Sequence, residues 1–182
     1  MNIWNRYLLP EKIPEVFVDL YDGFARKAFN KYYLETAREI VSHCARGRIL
    51  DIGCGPGYLP IQIVKLNKDI RVDGVDLSFK MIQLANNNIK KLKLEEYLNF
   101  FLSNGNFLAI SDNSYEMIIS TGVFHSLKNP VIFINECYRV LKSGGEAWIF
   151  DPARIVSSKE SFFRKDWKKG TKLILPESRV SD

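Results

Sequence analysis

The run Ile49-Leu50-Asp51-Ile52-Gly53-Cys54-Gly55-Pro56-Gly57 constrains this chain more than any other. An apolar strand passes straight into three glycines and then into an amphipathic segment, which makes a strand-to-helix turn nearly stripped of side chains. Glycine permits a left-handed backbone and lets a ligand approach the main chain, while the following helix offers N–H groups without intrahelical partners. The same kind of turn can also serve only to pack a helix on a sheet.

From residue 48 onward, short β-branched runs alternate with segments of helical period, the pattern of βαβ units and a mostly parallel sheet. The expected strands are 48–52, 71–75, 98–102, 117–120 and 147–150, most of them apolar enough to be buried on both faces. Ile134, Cys137, Tyr138 and Leu141 form one helical stripe, on a helix expected to end at Ser143-Gly144-Gly145. Met81, Ala85, Ile89 and Leu92 form another behind a Ser78 cap. Ahead of the first strand, Phe29, Tyr33, Ala37, Ile40 and Cys44 line a third helical face, after an extended start marked by Pro10 and Pro14.

The organisation expected is a single domain: an N-terminal helical cap (1–45), a core (46–153) and a short basic C-terminal segment (154–182). At 182 residues with 46% hydrophobic content, disorder is excluded and a core needs no disulfide or metal. The three cysteines are widely spaced without a C-x-x-C pair, and only two histidines could join them, so no metal site is expected. Such cysteine usage suits a reducing, cytoplasmic setting. No apolar window reaches the ~18 residues of a membrane span, and Arg6, Glu11 and Lys12 interrupt the place of a secretory leader, so no membrane partner is expected. The net charge of +5 comes mainly from the tail, where eight basic residues face four acids beyond position 153. A charge excess so small reads as a solvated surface and argues against nucleic acid.

Asp76 closes the second strand 23 residues after Gly53, where a carboxylate can accept hydrogen bonds from a ribose diol, or simply cap the helix near Ser78. There is no G-K-[ST], which removes a P-loop, and the glycines run G-x-G-x-G where dinucleotide enzymes prefer G-x-G-x-x-G. Asp51, two residues before the first glycine, would repel a diphosphate but suits a ligand carrying an ammonium and a sulfonium, as S-adenosylmethionine does.

With these residues assembled, Ile49 to Gly57 resembles the first motif of the class I S-adenosylmethionine-dependent methyltransferases, particularly their small-molecule branch. Gly74-Val75-Asp76-Leu77-Ser78 is similar to that family's ribose-binding strand end and Gly105-Asn106-Phe107 to its adenine-binding turn. Tyr138 to Gly145 is similar to the helix and turn before its fifth strand. The likeness covers about residues 30–153. It implies an α/β fold, Rossmann-like and doubly wound, with a mostly parallel sheet of five or six strands and an N-terminal helical cap; a shortened C-terminus is expected as a departure from the family.

The resemblance also implies roles. The backbone at Gly53, Cys54, Gly55 and Gly57 would pass close to the methionine part, with Asp51 near its amino group. Asp76 would hold the ribose hydroxyls, and Leu77 and Met81 would flank the adenine, although helix packing explains Met81 equally well. Asn106 would meet the adenine amino group and Phe107 would offer its N–H. Ser120 and Thr121 would lie across the switch point from Gly53, and Tyr21, near a loop beginning at Asp22-Gly23, would form part of a lid. His125, after the fourth strand, is the candidate base, or a histidine satisfied locally.

Asn106 stands where the family usually has Asp, and Tyr115-Glu116 and Ser143 replace a usual Phe-Asp and Pro. Only residues 152–182 follow the fifth strand, with a helix-compatible stretch at 158–169 and one apolar run at Leu173-Ile174-Leu175, room for one extra edge strand. An open sheet edge invites a homodimer or another partner to cover it. The function expected is methyl transfer to a small-molecule acceptor; the alternative is a non-catalytic cofactor-binding module that needs a partner to complete its sheet.

Overall fold

The computed structural model describes residues 12–151 and 171–174. A 3-10 turn at Glu15–Phe17 leads into α1 (Val18–Ala28) and α2 (Asn30–His43). Then come β1 (Gly47–Ile52), α3 (Tyr58–Leu66), β2 (Ile70–Asp76), α4 (Phe79–Leu92), β3 (Leu98–Leu102) and β4 (Tyr115–Thr121). A 3-10 turn at Phe124–Ser126, α5 (Pro130–Val140), β5 (Leu141–Asp151) and β6 (Thr171–Ile174) complete the order. The strands lie side by side as β3-β2-β1-β4-β5-β6. The first five are parallel, and β6 runs antiparallel along β5, with Trp148 opposite Ile174.

Alternation along β1 divides the core. Ile49 packs with Ile40 of α2, Ile63 of α3 and Ala85 of α4, whereas Leu50 and Ile52 pack with Phe133, Cys137 and Val140 of α5. Helices therefore cover both faces, and the chain reverses direction across the sheet between β1 and β4. Asp51 lies in register between Gly74 of β2 and Ile119 of β4, so the turns after β1 and β4 part at this point and open a crevice.

Most of the expected elements are present with longer bounds. Ser78 caps α4 by accepting the Met81 N–H at 3.2 Å, and the single extra edge strand is β6. Tyr115 and Glu116, at the start of β4, fit where a Phe-Asp was usual: the Tyr115 hydroxyl donates to Asp73 and Glu116 accepts from the Arg48 N–H.

Three expectations are corrected. The fifth helix ends at Val140 rather than at Ser143-Gly144-Gly145: the N–H groups of Asn113 and Ser114 donate to the carbonyls of Arg139 and Val140, which draws Leu141 into the sheet opposite Tyr115. The register then shifts, and Lys142–Gly145 bulge out before Glu146 pairs with Met117. Asp22 and Gly23 lie inside α1, not in a loop, because burial of Val18 and Ala25 and the Asp22–Tyr58 hydrogen bond outweigh one glycine. Leu92 is exposed at the end of α4, and Leu94, just beyond the helix, is buried in the core there instead. Most strands are buried on both faces as expected, with β3, at the sheet edge, the exception that alternates buried and exposed. The stretch 158–169 lies outside the described residues.

Candidate functional site

A cavity of about 350 Å³ opens at the C-terminal ends of β1, β2 and β4. Its wall includes Gly53 and Gly55 from the first turn, Asp76 and Leu77 from the end of β2, and Met81 from α4. Asn106, Thr121, His125 and, from the cap, Tyr21 are the other expected residues that line it.

The glycine turn is shaped from within. Gly53 has φ +80°, and a Cβ there would lie 2.1 Å from Val123 Cγ2. Gly57 (φ +79°) is the N-cap of α3, and a Cβ there would lie 2.8 Å from the Phe100 ring. The turn's amides are engaged inside the protein: Gly53 and Cys54 both donate to the Val75 carbonyl (2.7 and 3.0 Å), Gly57 donates to Cys54 O (3.0 Å), and Gly55 donates to Asp76 Oδ2 (3.0 Å). The expected supply of unpaired N–H groups is therefore absent at these four positions. What the turn offers is closeness.

Asp76 Oδ1 also accepts the Ser78 N–H at 2.8 Å. Burial raises the Asp76 carboxyl above the ordinary range, and these backbone donors pull it back. Asp51 is 2% exposed, behind the wall rather than on it, and its Oδ1 has no partner in the protein. Burial, and then the nearby Asp76 carboxylate, push its carboxyl up to about 8. The Tyr33 hydroxyl, which feels the Asp51 charge, donates to that of Tyr21, and burial raises both phenols.

Two more buried oxygens, Asn106 Oδ1 and Thr121 Oγ1, lack partners, and both residues belong to the cavity wall. Buried polar atoms are rarely left so. Asn106 Oδ1 is a pure acceptor, and Asp51 becomes one when a cation draws off its proton, so the site calls for a ligand rich in N–H and O–H donors. A ligand with an ammonium, an exocyclic amine and ribose hydroxyls meets that demand, whereas a pyrophosphate would set acceptors against acceptors. The donor set of S-adenosylmethionine thus fits the residues present.

Four other expected residues stand off the wall. Cys54 is buried, its thiol pushed well up by burial, and Gly57 packs beneath the turn. Ser120 is fully buried, and its hydroxyl donates to Ile52 O at 2.8 Å, joining β4 to β1. Phe107 is 71% exposed, and its N–H, expected to serve adenine, donates to Asn104 O at 2.9 Å in the tight turn that buries Asn106.

Several wall residues were invisible in the sequence. Lys12, Ile13 and Pro14 arrive from the cap, and Leu127 and Phe133 from the segment after β4. No local pattern marks such long-range contacts. Arg139 is a further case: it donates to Glu136 Oε1 (2.7 Å), to the carbonyls of Leu108 (2.9 Å) and Ile110 (2.6 Å), and to Asp112 Oδ1 (2.8 Å). Glu136 in turn accepts the Leu108 N–H at 2.7 Å, so the pair fixes the loop that follows Asn106. A basic residue on an amphipathic helix gave the only hint.

Residues 44–175 match the family described as Methyltransferase domain. This chain belongs to the class I S-adenosylmethionine-dependent methyltransferases. The methyltransferase domain is 25% identical over 142 residues to a demethylmenaquinone methyltransferase of Porphyromonas gingivalis, covering 78% of this chain and 55% of that protein. It is 27% identical over 143 residues to a malonyl-[acyl-carrier protein] O-methyltransferase of Bacillus cytotoxicus, covering 78% and 48%. A solved structure, a candidate S-adenosyl-L-methionine-dependent methyltransferase of Methanococcus maripaludis, superimposes with a TM-score of 0.70 at 28% identity, covering 74% of this chain and 62% of that one. The domain thus spans about half the length of the curated relatives it matches. Among the described residues no cluster of His, Cys, Asp or Glu could hold a metal ion, and no helix is long and apolar enough to cross a membrane.

Proposed function

We propose that the methyltransferase domain binds S-adenosylmethionine in the crevice at the end of β1 and transfers its methyl group to a small-molecule acceptor. The observation that carries this reading is the set of unpartnered buried oxygens at Asp51, Asn106 and Thr121 beside a glycine turn whose own amides are engaged. The relatives' names, which include methyltransferases acting on a menaquinone precursor and on a malonyl thioester carrier, support transfer as the activity.

Asp76 is the residue for the ribose hydroxyls, Asn106 for the adenine amino group, and Leu77 and Met81 for the adenine faces. Asp51, together with the Tyr21–Tyr33 pair, serves the ammonium end. S-adenosylmethionine, when bound, supplies a methyl group already activated by a positive sulfur. The protein then needs mainly to align the acceptor and exclude water. The cap residues Ile13, Pro14 and Tyr21 close one side of the cavity and perform the second task. His125, on the wall beyond β4, is the group that would take a proton from the acceptor. The burial of all three free cysteines is consistent with work in the reducing cytoplasm.

Calorimetry with S-adenosylhomocysteine, followed by a screen of acceptors with methyl-labelled S-adenosylmethionine, tests the proposal. Micromolar binding and label transfer are expected. Absence of binding by the full chain rejects it.

A further inference from the structure

A second cavity, of about 280 Å³, lies among the four helices α1 to α4 and shares no residue with the crevice at the end of β1. Helical spacing builds its wall. Tyr58, Gln62 and Lys65 fall at i, i+4 and i+7 on one face of α3, Asn88 and Lys91 fall at i and i+3 on α4, and Arg26 and Asn30 come from the place where α1 gives way to α2. The volume is close to the ~300 Å³ at which small-molecule sites begin.

The charged residues of this wall are Arg26, Lys65 and Lys91, one from each of three helices, and no acid stands among them. None of the three makes an ion pair with a described residue. Helices α3 and α4 contain no Asp or Glu at all. On the cap, Asp19 pairs with Lys80 at 2.7 Å, Glu35 with Lys31 at 3.8 Å, and Asp22 accepts from Tyr58 Oη at 2.6 Å. Even with Asp22 counted, three cations face one carboxylate. Each cation stands in the last turn of its helix, where the helix dipole favours it. The dipole does not explain why three such ends meet at one cavity, where unpaired like charges repel and a bound anion relieves them.

We propose that this second cavity binds a diphosphate, free or at the end of a small molecule. An arginine fork holds phosphate oxygens bidentately and lysines hold them as point charges. Asn30 and Gln62, whose side-chain amides have no partner among the described residues, add neutral N–H donors. A diphosphate matches three cations better than a lone carboxylate does. The rings of Tyr33 and Tyr58, with centroids 6.3 Å apart, and Ile61 make the rest of the wall apolar enough for a group attached to the phosphates. The two cavities are opposite in kind: the first sets acceptors where a pyrophosphate would lie, the second sets donors. The proposal rests on these helices and not on methyl transfer.

Calorimetric titration of the full chain with inorganic pyrophosphate, with ADP and with citrate as a non-phosphate polyanion tests it. Pyrophosphate or ADP is expected to bind at one site at least tenfold more tightly than citrate; pyrophosphate alone marks a free anion, and ADP a phosphate end. Arg26→Gln and the pair Lys65→Gln/Lys91→Gln should each weaken that binding at least tenfold. Arg46→Gln, just ahead of the opposite end of β1, loses the same charge as Arg26→Gln and should leave it unchanged. No binding of either phosphate, citrate bound as tightly, or an equal loss in Arg46→Gln overturns the proposal. So does a single-stranded oligonucleotide that binds more tightly than both phosphates, which would assign the cations to a nucleic-acid face. Should the variants fail to fold, labelling of the parent with a lysine-reactive reagent decides: pyrophosphate is expected to protect Lys65 and Lys91 and not Lys27, and equal labelling with and without it overturns the proposal.

Discussion

The Gly55 N–H donates to Asp76 Oδ2 at 3.0 Å, which ties the glycine turn after β1 to the carboxylate that ends β2. Two strand ends are thereby locked into one wall of the crevice before any ligand arrives. With Ser78 N–H on the other oxygen, the carboxylate is oriented and keeps lone pairs for a diol.

Replacement of Asp76 by Ala removes the anchor of the turn and the acceptor proposed for the ribose hydroxyls. Affinity for S-adenosylhomocysteine is expected to fall by ~1–3 kcal/mol, the range for losing hydrogen bonds to a charged group. Calorimetry reads this directly, and an affinity equal to the parent's would remove Asp76 from that role.

Asp51 gives the domain a pH signature. Its carboxyl titrates near 8 in the folded protein and near 3.9 unfolded, so the folded state holds an extra proton between these values. Stability then falls as pH rises through that window and levels off above about 8. An incoming ammonium favours the carboxylate, so cofactor binding near pH 7 is expected to release a proton. Asp51→Asn should flatten the decline of Tm between pH 5 and 8 and abolish proton release measured in buffers of different ionisation enthalpy. A slope that survives the substitution would place the proton elsewhere.

Gly53→Ala forces a methyl group to within 2.1 Å of Val123 Cγ2 at φ +80°. Left-handed backbone at a non-glycine residue costs roughly 1–2 kcal/mol and overpacking roughly 1–3 kcal/mol. Gly55→Ala meets no atom within 4 Å and carries only the backbone cost at φ +51°. Urea denaturation should rank Gly53→Ala clearly below Gly55→Ala, and equal midpoints would refute the steric account.

Arg139→Leu strips the carbonyls of Leu108 and Ile110 of their guanidinium donor and frees Glu136. Hydrogen exchange in residues 104–112 should accelerate at least tenfold, and adenosine binding should weaken more than methionine binding. Uniform exchange across the sheet would show instead a general loss of stability.

The crevice itself was legible in the sequence because its parts are local. An apolar strand entering Gly53-Cys54-Gly55-Pro56-Gly57 allows few backbones, and Asp76 follows at the distance a single βαβ unit dictates. Parallel pairing could be expected from the alternation of periods, since parallel strands need helical crossovers, whereas the order of the strands came from the structure. Helix and strand bounds were less secure at Leu141, where hydrogen bonds from Asn113 and Ser114 decided the end of α5.

What tertiary structure alone decided is how groups far apart in the chain meet. It closed the amides of the turn on Val75 and Asp76, brought Tyr33 of the cap within reach of the Asp51 charge, turned Phe107 outward, and left Val16, Leu20 and Phe24 exposed on the cap. The physical reason is that sequence periodicity reports which residues share a face of one element, whereas hydrogen bonding and burial depend on which other element packs there.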